Sequence, residues 1–352
     1  MSNRRKTLLI FTPGFAADET DSTCIPMQQS FIKTLNKKYP DLDIIIFAFD
    51  YPYSKRSYNW FGNSVVSFNG QNKGGIRRWM VRRALFNRLH TIHATHDLAG
   101  VLSFWYGECA LMGQRFSELP GINHFCWLWG QDVKKKNKYV KKVKMEAGRL
   151  IAFSDFLQDE FEKNHGIRPA HVITPGIDCT GLPTSVVTKD IDILAAGSLI
   201  PLKGYDVFIR VVAELKQSIP SIKAVLIGAG PGMNALQKLI EISGLQKNII
   251  LPGELPHPEV LQYMKRAKVF LHPSSYEGFG IVCLEALACS CKVISFTKPM
   301  KEKIKNWYVV NNKGEMIEQS IALLQSDQFT SVVPFTIEDT VERMARLFSL
   351  SE

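Results

Sequence analysis

The sequence has no apolar run near the roughly 20 residues that a membrane-spanning helix needs. It also has no C-x-x-C pair, no internal repeat and no low-complexity tract. The seven cysteines are odd in number and irregularly spaced, which argues against a disulfide scaffold and for reduced thiols in a cytoplasmic protein. Cys289 and Cys291, two apart, are poorly placed to share a metal and are expected to pack. The start, Arg4-Arg5-Lys6 and then Thr7–Phe11, is basic and then apolar like a signal peptide. Its run is short and meets Thr12-Pro13-Gly14, so it reads as a first β-strand. No nucleic-acid-binding signature accompanies the basic charge, so nucleic acid is not expected as a partner.

What is present is ordinary in bulk and uneven in charge. Apolar residues make up 45% and charged residues 22%, as in soluble globular proteins. At 352 residues the chain suits two domains. The net charge is +10. Residues 1–165 hold 24 Lys and Arg against 15 Asp and Glu, and the remainder holds 19 against 18. An anionic partner should therefore meet the first half.

Short β-branched runs alternate with helical patterns of 10 to 17 residues. In the first half the runs are Thr7–Phe11, Asp43–Phe49, Gly100–Phe104, His124–Trp129, Leu150–Phe153 and His171–Ile173. In the second they are Ile191–Ala195, Lys223–Ile227, Asn248–Leu251, Val269–His272 and Val293–Phe296. Two such series, divided near Pro175–Pro183, predict an α/β protein of two doubly wound domains. Tyr51–Gly75, polar and rich in Asn, Ser and Gly, reads as a long mobile connection. Phe335–Phe348 is amphipathic, with Ile337, Val341, Met344, Ala345 and Phe348 on one side and Thr336 placed to cap it.

The most informative segment is Glu277-Gly-Phe-Gly-Ile-Val-Cys-Leu-Glu285 after the run Val269–His272. A glycine-bearing turn opening an amphipathic helix over Ile281–Ala288 would present unpaired amides to an anion such as phosphate. Carboxylates beside bound phosphate need another task, and holding sugar hydroxyls is one, because an ionised carboxylate is purely an acceptor. A solvated strand-to-helix turn is the bland alternative.

This arrangement resembles the E-x7-E signature of retaining glycosyltransferases of the GT-B type, the family 4-like or group 1 glycosyl transferases. The resemblance is closest over residues 170–295. It implies two Rossmann-like domains facing a cleft: residues 1–175, taking the acceptor and joined by a returning helix at 335–352, and residues 184–334, taking the nucleotide sugar. It implies that Glu277 meets the transferred sugar and Glu285 the ribose diol. The amides of Gly278, Phe279, Gly280 and Ile281, with Lys203, would then face the diphosphate. Ser198 stands where the family usually has a phosphate-binding Arg. Leu255 matches the family segment near the base. Gly230, in Gly228-Ala-Gly-Pro-Gly232, lies among glycines that allow close backbone approach to a ligand, a plain strand-ending turn being equally open. In the first half Gly14 occupies the family's Gly-rich loop. Trp129 stands in the position of a sugar-contacting His, and Asp132 matches an acceptor-side carboxylate, with a capping role equally open.

Asp41-Leu-Asp43 and Asp190-Ile-Asp192 match D-x-D metal spacing, but both fall at strand starts, opposite the usual ligand edge, so no metal is expected. Six of the seven lysines of Lys134–Lys144 fall on about half of a helical wheel. That face suits an anionic membrane surface or acidic glycan, and equally a solvated helix. Ile76–Arg88 is ambiguous between a buried-edge and an interface helix. The expected activity is transfer of a sugar from a nucleoside-diphosphate sugar, with no cofactor, to a saccharide or lipid-linked hydroxyl in surface polysaccharide or glycoconjugate synthesis. The expected place is the cytoplasm, with peripheral contact at the inner face of the membrane. A degenerate glycan- or partner-binding protein, suggested by Ser198 and Trp129, and a sugar-nucleotide epimerase are the alternatives.

Overall fold

The computed structural model describes residues 5–182 and 187–350. Pro183, at the end of the expected divide, and residues 184–186 lie outside these. The chain forms two compact units, one running through Gly176 and resuming at Ile337, the other Ile177–Thr336.

In the first unit the strands are β1 (Lys6–Gly14), β2 (Asp43–Tyr51), β3 (Arg56–Trp60), β4 (Asn63–Ser67), β5 (Asp97–Phe104), β6 (His124–Leu128), β7 (Leu150–Ala152) and β8 (His171–Val172). They pair in the order β3-β4-β2-β1-β5-β6-β7-β8. All neighbours are parallel except β3 and β4. Helices α1 (Pro26–Lys38), α2 (Gly75–Thr95), α3 (Glu108–Phe116), α4 (Lys138–Val143) and α5 (Asp155–His165) belong to it. Leu8–Phe11 and Ile46–Phe49 are almost wholly buried, as expected of parallel strands covered on both faces.

The second unit holds β9 (Ile191–Ala196), β10 (Ala224–Ile227), β11 (Ile249–Gly253), β12 (Ala267–His272), β13 (Lys292–Ser295) and β14 (Trp307–Val309). Its helices are α6 (Tyr205–Ser218), α7 (Met233–Ile242), α8 (His257–Arg266), α9 (Ile281–Ala288) and α10 (Lys313–Leu324). The sheet is parallel, in the order β11-β10-β9-β12-β13-β14. Its core includes Ile193, Phe208, Leu226, Val269 and Ile294.

The last helix, α11 (Ile337–Leu347), returns to the first unit. Thr340 Oγ1 donates to the Thr174 carbonyl at 2.9 Å, Glu342 pairs with Lys38, and Phe348 packs edge-on against Phe125 at 5.1 Å. Phe335 and Thr336 stay with the second unit, where the Phe335 carbonyl accepts from Ile177 N at 3.0 Å.

Two expectations need correcting. Tyr51–Gly75 is not a long loop but contains the β3–β4 hairpin, added to the sheet beside β2. Its two-residue turn has positive φ at Phe61 (43°) and Gly62 (83°), the combination of a type I′ hairpin. Nor is Lys134–Lys144 one helix. Only Lys138–Val143 is helical, because the Asn137 side chain accepts from Tyr139 N and starts the helix there. The lysines before Asn137 therefore do not share a helical face with those after it. No helix among the described residues is long and apolar enough to cross a membrane.

Candidate active site

In the second sheet β9 and β12 are neighbours, and the chain winds away from them in opposite directions. Loops leaving the carboxyl ends of such a pair border the usual ligand crevice of an open α/β sheet. The loop after β9 is Gly197–Gly204, and the loop after β12 is Pro273–Gly280. They are tied together at Leu202, whose carbonyl accepts from Ser274 Oγ and Ser275 N, each at 3.1 Å. Glycine makes the approach feasible. Gly204 has φ +65°, and a Cβ there would lie 2.4 Å from the Pro273 carbonyl oxygen.

This lacing brings Lys203 Nζ onto Glu277 Oε1, both side chains being mostly buried. His272, the buried last residue of β12, places Nε2 3.3 Å from the same oxygen. That approach is at the long limit of a hydrogen bond. Burial pushes the Glu277 carboxyl up, but His272 and the Lys203 cation outweigh it and hold the pKa at about 2. The nearby Tyr205 hydroxyl is buried with no hydrogen-bond partner among the described residues, and burial with the Glu277 charge raises its pKa.

Helix α9 starts at Gly280, which is left-handed at φ 85°, and no side chain caps this end. It is not the amphipathic helix expected, because Cys283, Leu284 and Ala286–Ala288 are all buried. Phe279 is buried too, its ring packed 5.7 Å from Phe335 and 6.2 Å from Trp307. Gly278 and Ile281 are half-buried beside it. Glu285, one turn in, accepts from His257 Nε2 at 2.8 Å. That bond to Glu285, opposed by burial, raises the His257 pKa. Leu255, two residues before His257, is half-buried, and Ser198 is exposed.

Gly230 has an intramolecular explanation. A Cβ there would lie 2.7 Å from the Leu199 carbonyl oxygen, and Leu199 N donates to the Ala229 carbonyl at 2.9 Å. The glycines after β10 let two loops pack. Gly14, which ends β1 in the first unit, is buried against Tyr51.

Asp132 is held by the backbone of its own turn and of a neighbouring loop. It is buried, and its carboxylate accepts from Tyr106 N at 2.9 Å, Gly130 N at 2.8 Å and Trp129 N at 3.2 Å. Burial raises its pKa against the pull of these amides. A carboxylate that accepts from three backbone donors builds its turn, which is the capping role left open beside the acceptor-side one. Trp129 stacks on Phe153 at 4.7 Å and leans on Trp105 at 4.6 Å.

The D-x-D segments are committed elsewhere. Asp190 pairs with Arg266, and Asp192 pairs with Lys268 while accepting from Lys223 N. Asp41 and Asp43 each lie 3.8 Å from Arg5. A cavity of about 650 Å³ lined by Pro299, Met300, Ile304, Trp307 and Gln319 contains none of the candidate residues.

Three residues at this site were not singled out from the sequence. His272 had a signal, a polar residue closing an apolar strand just before a proline. Tyr205 and His257 had none, because each reaches the site through a contact between distant segments.

Residues 184–333 match the family described as Glycosyl transferases group 1. The chain is 31% identical over 119 residues to the phosphatidylinositol N-acetylglucosaminyltransferase GPI3 subunit of Saccharomyces cerevisiae (strain RM11-1a), covering 34% of this chain and 26% of that protein. It is 31% identical over 250 residues to 2-deoxystreptamine N-acetyl-D-glucosaminyltransferase of Niallia circulans, covering 63% of this chain and 62% of that protein. The chain thus spans about a quarter of the length of the yeast relatives it matches. A crystal structure of Anabaena Alr3699/HepE in complex with UDP and glucose superposes with a TM-score of 0.70 at 16% identity, covering 99% of this chain and 100% of that one. The two-sheet fold is therefore the GT-B fold, and residues 184–333 of its second unit are similar to the glycosyl transferases group 1 family.

Proposed function

We propose that this chain transfers a sugar from a nucleoside-diphosphate sugar to a hydroxyl of a saccharide or lipid-linked acceptor, with retention at the anomeric carbon, in surface polysaccharide or glycoconjugate assembly. The observation that carries this reading is the meeting of Lys203 with Glu277 across two laced loops, beside the uncapped start of α9. Lys203 and the amides from Gly278 to Ile281 would take the diphosphate, Glu277 a hydroxyl of the moving sugar, and Glu285 the ribose diol in exchange for His257. As the bond from the anomeric carbon to the phosphate oxygen breaks, charge grows on the leaving diphosphate, where a fixed cation and aligned amides stabilise it most. The acceptor oxygen forms the new bond to the anomeric carbon and gives up its proton to the departing diphosphate oxygen. None of these steps calls for a metal or a redox group. The family match over 184–333 and the transferase names of the curated relatives support the reading.

The test is a thermal-shift screen over UDP- and GDP-sugars, since a bound donor raises apparent stability by mass action, followed by a transfer assay with the donor selected. Lys203→Ala and Glu285→Ala should each abolish transfer while leaving the chain folded. Full transfer by both variants would refute the site. The exposed Ser198 and the committed carboxylate of Asp132 favour one second reading, a non-catalytic binding protein. Calorimetry showing no heat with any nucleotide sugar would select it.

A further inference from the structure

Residues 51–96 contain eight Lys and Arg and not one Asp or Glu. The same segment carries five of the eight large hydrophobic side chains exposed among the described residues: Tyr53, Phe61, Ile76, Trp79 and Met80. Ile76, Trp79 and Met80 are 79%, 56% and 57% exposed and sit at i, i+3 and i+4 on the first turns of α2, so they share one face. The opposite side of the helix is docked through Val81, Leu85, Leu89 and Ile92.

The arginines of α2 divide along the same line. Arg78 bonds to Asp50 at 3.0 Å and Arg82 reaches Glu108, so the carboxylates that face this helix are neutralised inside the unit. Arg77 donates to the Asn69 carbonyl. On the open side Arg83 lies over the Trp79 ring, 5.4 Å from its centroid, and Lys73 is exposed just before the helix. The outward turn thus offers an indole, a thioether and an aliphatic side chain bordered by unopposed cations. Isolated exposed hydrophobics are unremarkable, but three on one helical face mark an interaction surface.

We propose that the first turns of α2 dock on an anionic lipid surface, with Ile76, Trp79 and Met80 entering the interface while Lys73 and Arg83 meet the headgroups. Charge complementarity favours this occupant, since a segment without any carboxylate is repelled by no part of an anionic bilayer. An indole is at home where apolar chains meet water. This places membrane contact on α2 and not on Lys134–Lys144, and it does not depend on the reaction proposed above.

The test is cosedimentation of the full chain with vesicles of phosphatidylcholine alone and of phosphatidylcholine mixed with phosphatidylglycerol. The wild type should bind the mixed vesicles, bind neutral ones much less, and be partly released by salt. The triple variant Ile76→Ser, Trp79→Ser, Met80→Ser should partition into mixed vesicles at least about tenfold less, because each lost apolar side chain removes buried area from the interface. Its thermal melt and its shift with nucleotide sugars should match the wild type, since these side chains are exposed. Equal vesicle binding by the triple variant overturns the proposal, as does no binding by the wild type. So does a wild-type dimer that the triple variant dissolves without any vesicle binding, which would seat a second copy on the patch.

Discussion

Each sheet changes its direction of winding beside its first strand, between β1 and β5 in one unit and between β9 and β12 in the other. The carboxyl ends of strands in the two sheets nevertheless carry different chemistry. Around the β9–β12 edge polar groups meet in partnership: Lys203 with Glu277, and His257 of α8 with Glu285 of α9. In the first unit, past the ends of β5, β6 and β7, aromatic rings gather instead, with Trp129 against both Trp105 and Phe153 and the Asp132 carboxylate turned onto backbone amides. Topology decides where a crevice forms, and the side chains on its rim decide what enters. A charged rim suits a diphosphate and its diols. An aromatic rim with its carboxylate occupied does not.

The sharpest way to break that contrast is at Glu277. Glu277→Gln keeps the shape but removes the charge facing Lys203, and it should lower transfer by about 100- to 1,000-fold, the scale of losing a preorganised electrostatic partner. Steady-state kinetics with the donor found by screening would measure it. Unchanged kcat would mean that this edge is no more catalytic than the other.

Asp132 should give the inverse result. Asp132→Ala strands three backbone donors in a buried turn and should cost about 2 kcal/mol of stability in urea unfolding. Transfer per folded molecule should survive. A variant that is stable yet inactive would return Asp132 to the chemistry.

The smallest effect is a titration. The bond from His257 to Glu285 raises the imidazole pKa, so the pair's stabilisation is complete below the ordinary histidine value and fades as pH rises through the raised one. Glu285→Gln should return the His257 shift, followed by NMR, to the ordinary range. Glu277 runs the other way. Its pairing persists until pH falls below 4.5 toward about 2.

The parallel strands and the loop that carries Glu277 were legible because both are written locally: β-branched runs, then Pro-Ser, then Glu-Gly-Phe-Gly. What was missed depended on distance or on a single residue. The two readings of Asp132 could not be separated because one of its donors, Tyr106 N, lies 26 residues upstream. Gly230 looked ligand-facing until Leu199 came to rest against it. The hairpin at Arg56–Ser67 was hidden by polar strand residues, although Phe61-Gly62 was a turn signal. The lysine helix was overextended because Asn137 was not read as its start.

The shared carbonyl of Leu202 carries a consequence for anyone dissecting this protein by mutation. Because Ser274 and Ser275 both hang from it, the segments bearing the lysine and the glutamate shift as one body. Energies measured from single changes in either segment will not sum. A substitution at Ser274 will be felt at Lys203, without touching it, as a drift in the position of the cation.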